Sequence, residues 1–214
     1  MSTLKSSLKP RKSAVQARST ATVDALHTAT LQVLTQQGLI RCTTTRVAER
    51  AGMSVGSLYQ YYPNRDALLA AVLEKHLNRV AETVEQACVS HQGMPVAEMA
   101  RGLVLALVAA KLRDQDVSKA LYAIAGERGG GELVARINAR MIAVTAAMLV
   151  TAPDAHFDDP KLTAAISLSA VFGPVRTLLE GNASPAFEAG LEQHATLLLT
   201  AYLQTYRDTS SRQD

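Results

Sequence analysis

Gly52-Met53-Ser54-Val55-Gly56 spell the G-x-S-x-G of a nucleophile elbow, which would expose an activated serine for acyl transfer. That chemistry requires a strand before the serine and an Asp/His pair to activate it. Here helical spacing precedes the motif and no such pair stands in context, so the hydrolase reading is the weaker one. His27, His76, His91, His156 and His194 show neither H-x-x-x-H nor H-E-x-x-H spacing, and no metal is expected. His76 lies on the apolar face of a helix, where a satisfied core histidine is the commoner outcome. Gly129-Gly130-Gly131 lacks both the preceding strand and the following Gly-Lys-Ser/Thr of a phosphate loop, and reads as an interhelical turn. Cys42 and Cys88 are too few for a disulfide framework or a four-ligand zinc site, which suits a reducing cytoplasm. No catalytic residue and no cofactor emerges from these patterns.

The spacing over 44–62 carries more information. Two short helices crossing steeply require a small residue where they cross, a glycine in the turn, an apolar plug after it and a buried anchor in the second helix. Ala48, Gly52, Met53 and Leu58 meet those needs in order. Ser54 suits the N-cap of the second helix, and Val55, Gly56 and Ser57 leave its start small enough for close approach to DNA. Tyr59, Gln60, Tyr61 and Tyr62 then give it polar-tipped aromatics and an amide. A plain helical hairpin in a bundle core would not need them.

The elements that must position this motif are helical throughout. Apolar residues Val23, Leu26, Ala29, Val33 and Leu34 predict a helix over about 17–37 stopped by Gly38, after a mobile arm at 1–14. Short helices follow at about 45–51 and 55–62. Asn64 then caps a long helix to about His91, with Asp66 in its first turn. Pro95 opens the next helix, whose stretch 102–110 is apolar all round and so buried. Further helices are expected at 116–125 and 132–150. Asp159-Pro160 and Ser184-Pro185 start the last two, ending near Glu180 and Tyr206, and Gly173-Pro174 should kink the first of these. That makes about nine helices, no strand and no internal repeat.

Composition agrees with a soluble globular chain: 214 residues, 48% hydrophobic, 19% charged, without tryptophan. No run is read as the roughly 18 apolar residues that span a bilayer, since long uncharged runs such as 162–175 contain Ser, Gly and Pro. The net charge of +3 hides an asymmetry. Residues 1–66 carry nine Lys/Arg against three acids, whereas 67–214 carry 13 against 16. A basic first third on an acidic remainder favours an anionic polymer bound at one end.

With these residues in view, the chain resembles the tetracycline-repressor-type (TetR/AcrR) family of bacterial transcriptional regulators. The resemblance rests on Gln37-Gly38, Thr44-Thr45, Val47-Ala48, Ala51-Gly52, Ser57-Leu58-Tyr59, Tyr61-Tyr62 and Asn64-Arg65-Asp66-Ala67-Leu68, and covers roughly 20–75. Tyr62 stands where the family commonly has Phe. The resemblance implies a DNA-binding domain at 1–63 and a ligand-binding and dimerisation domain at 64–214. Val55, Gly56, Ser57, Gln60 and Tyr61 are the expected major-groove residues, with Gln60 suited to adenine and Val55 to a thymine methyl. Thr44 and Thr45 suit phosphate, Tyr59 and Arg65 match phosphate positions of the family, and Arg46 reaches either a base or a phosphate. Tyr62 is expected in the core. Lys9, Arg11 and Lys12 either enter a minor groove or make no contact.

The expected function is a cytoplasmic homodimeric repressor released from a palindromic operator by a small apolar or amphipathic effector. The expected effector pocket is made by Leu77, Val80, Met99, Leu103, Leu107, Tyr122, Met141 and Phe172, with Glu98 and Arg101 pairing on an exposed turn or orienting a ligand. Met94, Met99, Met141 and Met148 are adaptable side chains suited either to that pocket or to ordinary core. The last two helices are apolar on more than one face and need a second burial partner, so Leu168, Val171, Val175, Leu191, Leu198 and Tyr202 are the expected dimer residues. Two other classes fit the same residues: a helix-turn-helix activator or architectural protein without an effector, and a helical partner-binding adaptor.

Overall fold

The computed structural model describes residues 11–125 and 130–206. Lys9 and Gly129 lie outside the described residues, as do the side chains of Arg11 and Lys12. Among the described residues there are nine helices and no strand: α1 Arg11–Gln37, α2 Thr44–Arg50, α3 Val55–Tyr59, α4 Arg65–Ser90, α5 Val96–Leu112, α6 Gln115–Ala125, α7 Gly130–Leu149, α8 Pro160–Leu179 and α9 Pro185–Gln204. They form two compact units, Met1–Val72 and Leu73–Asp214.

The first unit is built from the apolar spacing of α1. Leu26, Ala29, Val33 and Leu34 face inward with Val47 and Ala48 of α2, Leu58 of α3, and Leu68, Leu69 and Val72 of α4. Ala48 has no exposed surface, as its place at the helix crossing requires. Met53, expected to plug this core, stays half-exposed, while Cys42 from the α1–α2 loop is buried. The α1 helix starts earlier than the apolar stripe suggests, because Arg, Lys, Ser, Ala and Gln are all compatible with helix once past Pro10. The unit boundary also falls beyond Pro63, because the first turns of α4 carry core residues of the first unit.

Side-chain caps fix most helix starts where the sequence places them. Thr43 accepts from the Arg46 amide at 3.3 Å, Ser54 from Ser57 at 3.1 Å, and Asn64 from Ala67 at 2.8 Å. Asp159 accepts from Leu162 at 2.9 Å and Ser184 from Phe187 at 3.2 Å. Each satisfies one of the amides a helix leaves unpaired at its start.

In the second unit α5 packs on α8 and α9, α7 packs on α8, and α6 touches α5, α7 and α8. Two ion pairs fasten α4 to α7. Arg140 grips Glu85 with Nε to Oε1 and Nη2 to Oε2, both at 2.6 Å, and its Nη1 donates to Asn78 Oδ1 at 3.0 Å. Arg136 reaches Glu74 one turn away. By length and composition α8 is apolar enough to cross a membrane, with a mean hydropathy of 1.5. The Ser, Gly and Pro that argued against this weaken hydropathy little. The packing of α8 against α5, α7 and α9 gives its inner face a protein partner instead. The helix continues through Gly173-Pro174.

Candidate nucleic-acid interface and ligand cavity

The turn between α2 and α3 depends on Gly52, which has φ +69°, a left-handed conformation that a Cβ would strain. Its amide donates to Glu49 O at 3.1 Å, and the Met53 amide donates to Ala48 O at 3.0 Å. The chain thereby reverses in three residues and sets Ser54 at the start of α3. Ser54 Oγ accepts from the Ser57 amide at 3.1 Å and lies 2.9 Å from Ser57 Oγ, so this serine caps a helix and no strand precedes it. An elbow nucleophile has no support here.

Gly56, Tyr59 and Gln60 are exposed along α3 and its end, and Val55, Ser57 and Tyr61 are half-exposed. Thr45 and Arg46 are exposed on α2, and Thr44 is half-buried. Tyr59 Oη lies 3.2 Å from Thr44 Oγ1, bringing two expected phosphate residues together. Arg46 Nη1 turns back to Gln37 Oε1 at 3.0 Å and Arg41 O at 3.2 Å. Arg65 departs furthest from its expected role. Its Nε donates to Cys42 O at 2.7 Å and one Nη to Leu39 O at 2.6 Å, while the other lies 3.8 Å from Asp66. It clamps the α1–α2 loop. Tyr62, expected in the core, is half-buried, with Oη 2.6 Å from His27 Nε2. Burial, then the charge of Asp24, raises its pKa.

The second unit contains a cavity of about 830 Å³. Leu73, His76, Leu77 and Val80 of α4 form one wall, and Ser118, Leu121 and Tyr122 of α6 another. Val134, Asn138 and Met141 of α7 and Ser169, Phe172, Gly173 and Arg176 of α8 complete most of the rest. The volume suits a small organic ligand. Of the expected pocket residues, Leu77, Val80, Tyr122, Met141 and Phe172 line it. Met99, Leu103 and Leu107 do not: α5 turns them into the packed core, where they are buried. Glu98 and Arg101 are exposed and away from the cavity. Met148 is core and Met94 is exposed.

Among the lining residues that the expected pocket did not include, a lysine stands out. Lys111 sits one turn beyond Leu107 on the buried stripe of α5 and is only 6% exposed. Its Nζ lies 5.3 Å from the ring centre of Tyr122 and 5.7 Å from that of Phe172. Burial lowers its pKa to about 8. A lysine at a position of an apolar stripe was the available signal. His76 also lines the cavity. Burial, then the positive charges of Lys111 and Arg79, hold its pKa at about 4 against a smaller opposing pull from Asp114. Arg176 Nε is paired with Glu180 Oε1 at 2.7 Å at the cavity margin. Tyr122 has its pKa raised by burial, with opposing smaller effects from Arg176 and Glu180.

The expected dimer residues divide by face. Leu168, Val171, Val175 and Leu191 are buried inside their own chain and are corrected to core. Both α8 and α9 have two apolar faces, and a period of 3.6 residues alone does not say which is turned inward. The outward apolar residues include Leu162, Ile166, Phe187, Leu197 and Leu198, with Tyr202 half-buried against Tyr206.

Residues 26–72 match the family described as bacterial regulatory proteins, tetR family, and residues 95–203 match the tetracyclin repressor-like C-terminal domain. The chain belongs to the TetR family and is a DNA-binding transcriptional regulator of that type. No curated protein sequence matches it. Among solved structures, a TetR-family regulator from Mesorhizobium loti is 20% identical, with a TM-score of 0.72 over 89% of this chain and 98% of its own. The fatty acid degradation regulator FadR of Bacillus halodurans is 16% identical, with a TM-score of 0.66 over 87% and 97%. The multidrug binding protein EbrR, solved with imidazole, is 19% identical, with a TM-score of 0.60 over 85% and 94%. At these identities the likeness is one of fold.

Proposed function

We propose that this regulator is a homodimeric repressor that holds a palindromic operator and releases it when a small organic effector fills the cavity of the second unit. The observation that carries this reading is the wall of that cavity made by α4. Leu73, His76, Leu77 and Val80 line it, and the same unbroken helix begins at Arg65, which holds the α1–α2 loop. A ligand that displaces α4 from within the second unit acts on an element that carries core residues of the first. Relatives of the same fold described as binding drugs or regulating fatty acid degradation are compatible with an organic effector.

In this reading Val55, Gly56, Ser57, Gln60 and Tyr61 enter the major groove, and Thr44, Thr45 and Tyr59 hold phosphate. Arg46 stays available at the α2 surface, exchanging its contacts with Gln37 and Arg41 for DNA. Arg65 acts as a positioning residue, because two of its nitrogens are committed to carbonyls. The dimer forms through the outward faces of α8 and α9, around Leu162, Ile166, Leu197 and Leu198.

A shift assay on DNA flanking the protein's own gene tests this. Gln60→Ala is expected to lose roughly 1–3 kcal/mol on the operator and little on random duplex. An equal loss on both would remove Gln60 from base reading. Binding that does not weaken with salt would contradict phosphate contact altogether.

A further inference from the structure

We propose that the effector is a monocarboxylate on an apolar body, and that its carboxylate pairs with Lys111 inside the cavity. This rests on the reading of that cavity as the effector site. Lys111 is 6% exposed, and among the described residues no carboxylate lies within ion-pair distance of it. The ring faces of Tyr122 and Phe172 stabilise the ammonium in part. They leave it without the anion that a buried cation requires. The open volume lies in front of it.

The remaining lining decides the sign and valence of the ligand. Glu180 is spent on Arg176, so neither offers a second unpaired charge. His76, with its pKa near 4, is neutral at physiological pH and offers one N–H donor and one nitrogen acceptor. A cationic ligand would face Lys111 with, among the described residues, no free lining carboxylate to receive it. Among the described lining residues, a dianion would find one unpaired cation for two charges. Leu73, Leu77, Val80, Leu121, Val134 and Met141 give the rest of the ligand an apolar bed.

Such a pair leaves a protonic signature. Burial holds the Lys111 pKa at about 8. A bound carboxylate restores the preference for ammonium, so binding at pH 9 takes up a proton. Among the described residues, His76, Arg79, Asp114, Arg176, Glu180 and Tyr122 are the other titratable groups around this region. His76 is held near 4 and Tyr122 is raised by burial above its ordinary value, so neither competes for that proton.

The test displaces Nile red, a neutral dye, from the full chain with decanoate and 2-naphthoate, each against its alcohol, and with decylamine. For at least one body, the wild type is expected to prefer the acid over the alcohol by about 10- to 100-fold. Lys111→Met, checked for folding by helical circular dichroism and thermal melting, should bring that preference below about threefold and leave the alcohol unchanged. Acid, alcohol and amine binding alike in the wild type, or a preference that survives Lys111→Met, overturns the proposal and leaves the cavity reading standing. Failure of the dye and of every competitor to bind overturns both. Calorimetry of the wild type at pH 9 in two buffers of different ionisation enthalpy gives a readout that needs no variant. Proton uptake with the acid supports the pair, and its absence overturns it.

Discussion

Arg65 shows how residue type and residue role separate. Its guanidinium stands at a position suited to phosphate, yet its Nε and one Nη hold the carbonyls of Cys42 and Leu39. Arg65→Ala should therefore lower the denaturant midpoint by about 1–2 kcal/mol of stability, because two carbonyls lose a charged donor. A variant with unchanged stability but a flattened salt slope in DNA binding would return Arg65 to phosphate. His76 makes the second residue-level case. Its pKa falls from 6.5 unfolded to about 4 folded, chiefly through burial. Between those values the unfolded chain binds a proton that the folded chain refuses, so stability falls as pH drops from about 6.5 to about 4. His76→Phe should flatten that part of the stability curve, measured by urea unfolding across the window. An unchanged slope would mean that the histidine is not held neutral.

At the scale of elements, the short α2 and α3 are held by a turn and two caps, whereas α5 is held by burial. Gly102 lies within α5, and a Cβ there would run into the ring of His91, which is anchored by Nδ1 to Ala87 O at 2.7 Å. Alanine normally favours a helix over glycine by about 1 kcal/mol. Gly102→Ala should forfeit that gain in the wild type and recover it when His91→Ala is also present. A double-mutant cycle by chemical unfolding should give a coupling of about 1–2 kcal/mol. Zero coupling would show that the ring moves aside freely. The same reasoning about faces applies to α8 and α9: one face of each is filled by its own chain, and the exposed one remains for another.

The molecule as a whole then needs a partner for those outward residues. Leu198, 54% exposed, sits beside the equally outward Leu197 on α9. Leu198→Arg should yield monomers by sedimentation, with operator binding weakened because a single copy reads one half-site. A wild-type monomer with full operator affinity would remove the dimer from the proposed function. Effector and operator must also oppose each other by the same factor, since binding free energies are linked. A release from mostly bound to mostly free requires about 10⁴-fold preference of the ligand for the non-binding state.

The sequence alone determined what local chemistry controls. Gly52 marked the α2–α3 turn, Ser54, Asn64, Asp159 and Ser184 marked helix starts, and apolar period marked nine helices. These features depend on residues a few positions apart, so a linear reading reaches them. Tertiary structure decided which apolar face of α8 and α9 turns inward, and which of Met99, Leu103 and Met141 meets a cavity instead of core. It also decided that Arg65 spends its donors on a loop and that Lys111 stands buried before open space. Those outcomes depend on side chains brought together from distant parts of the chain, where helical period is the same for a core residue, a pocket wall and an interface.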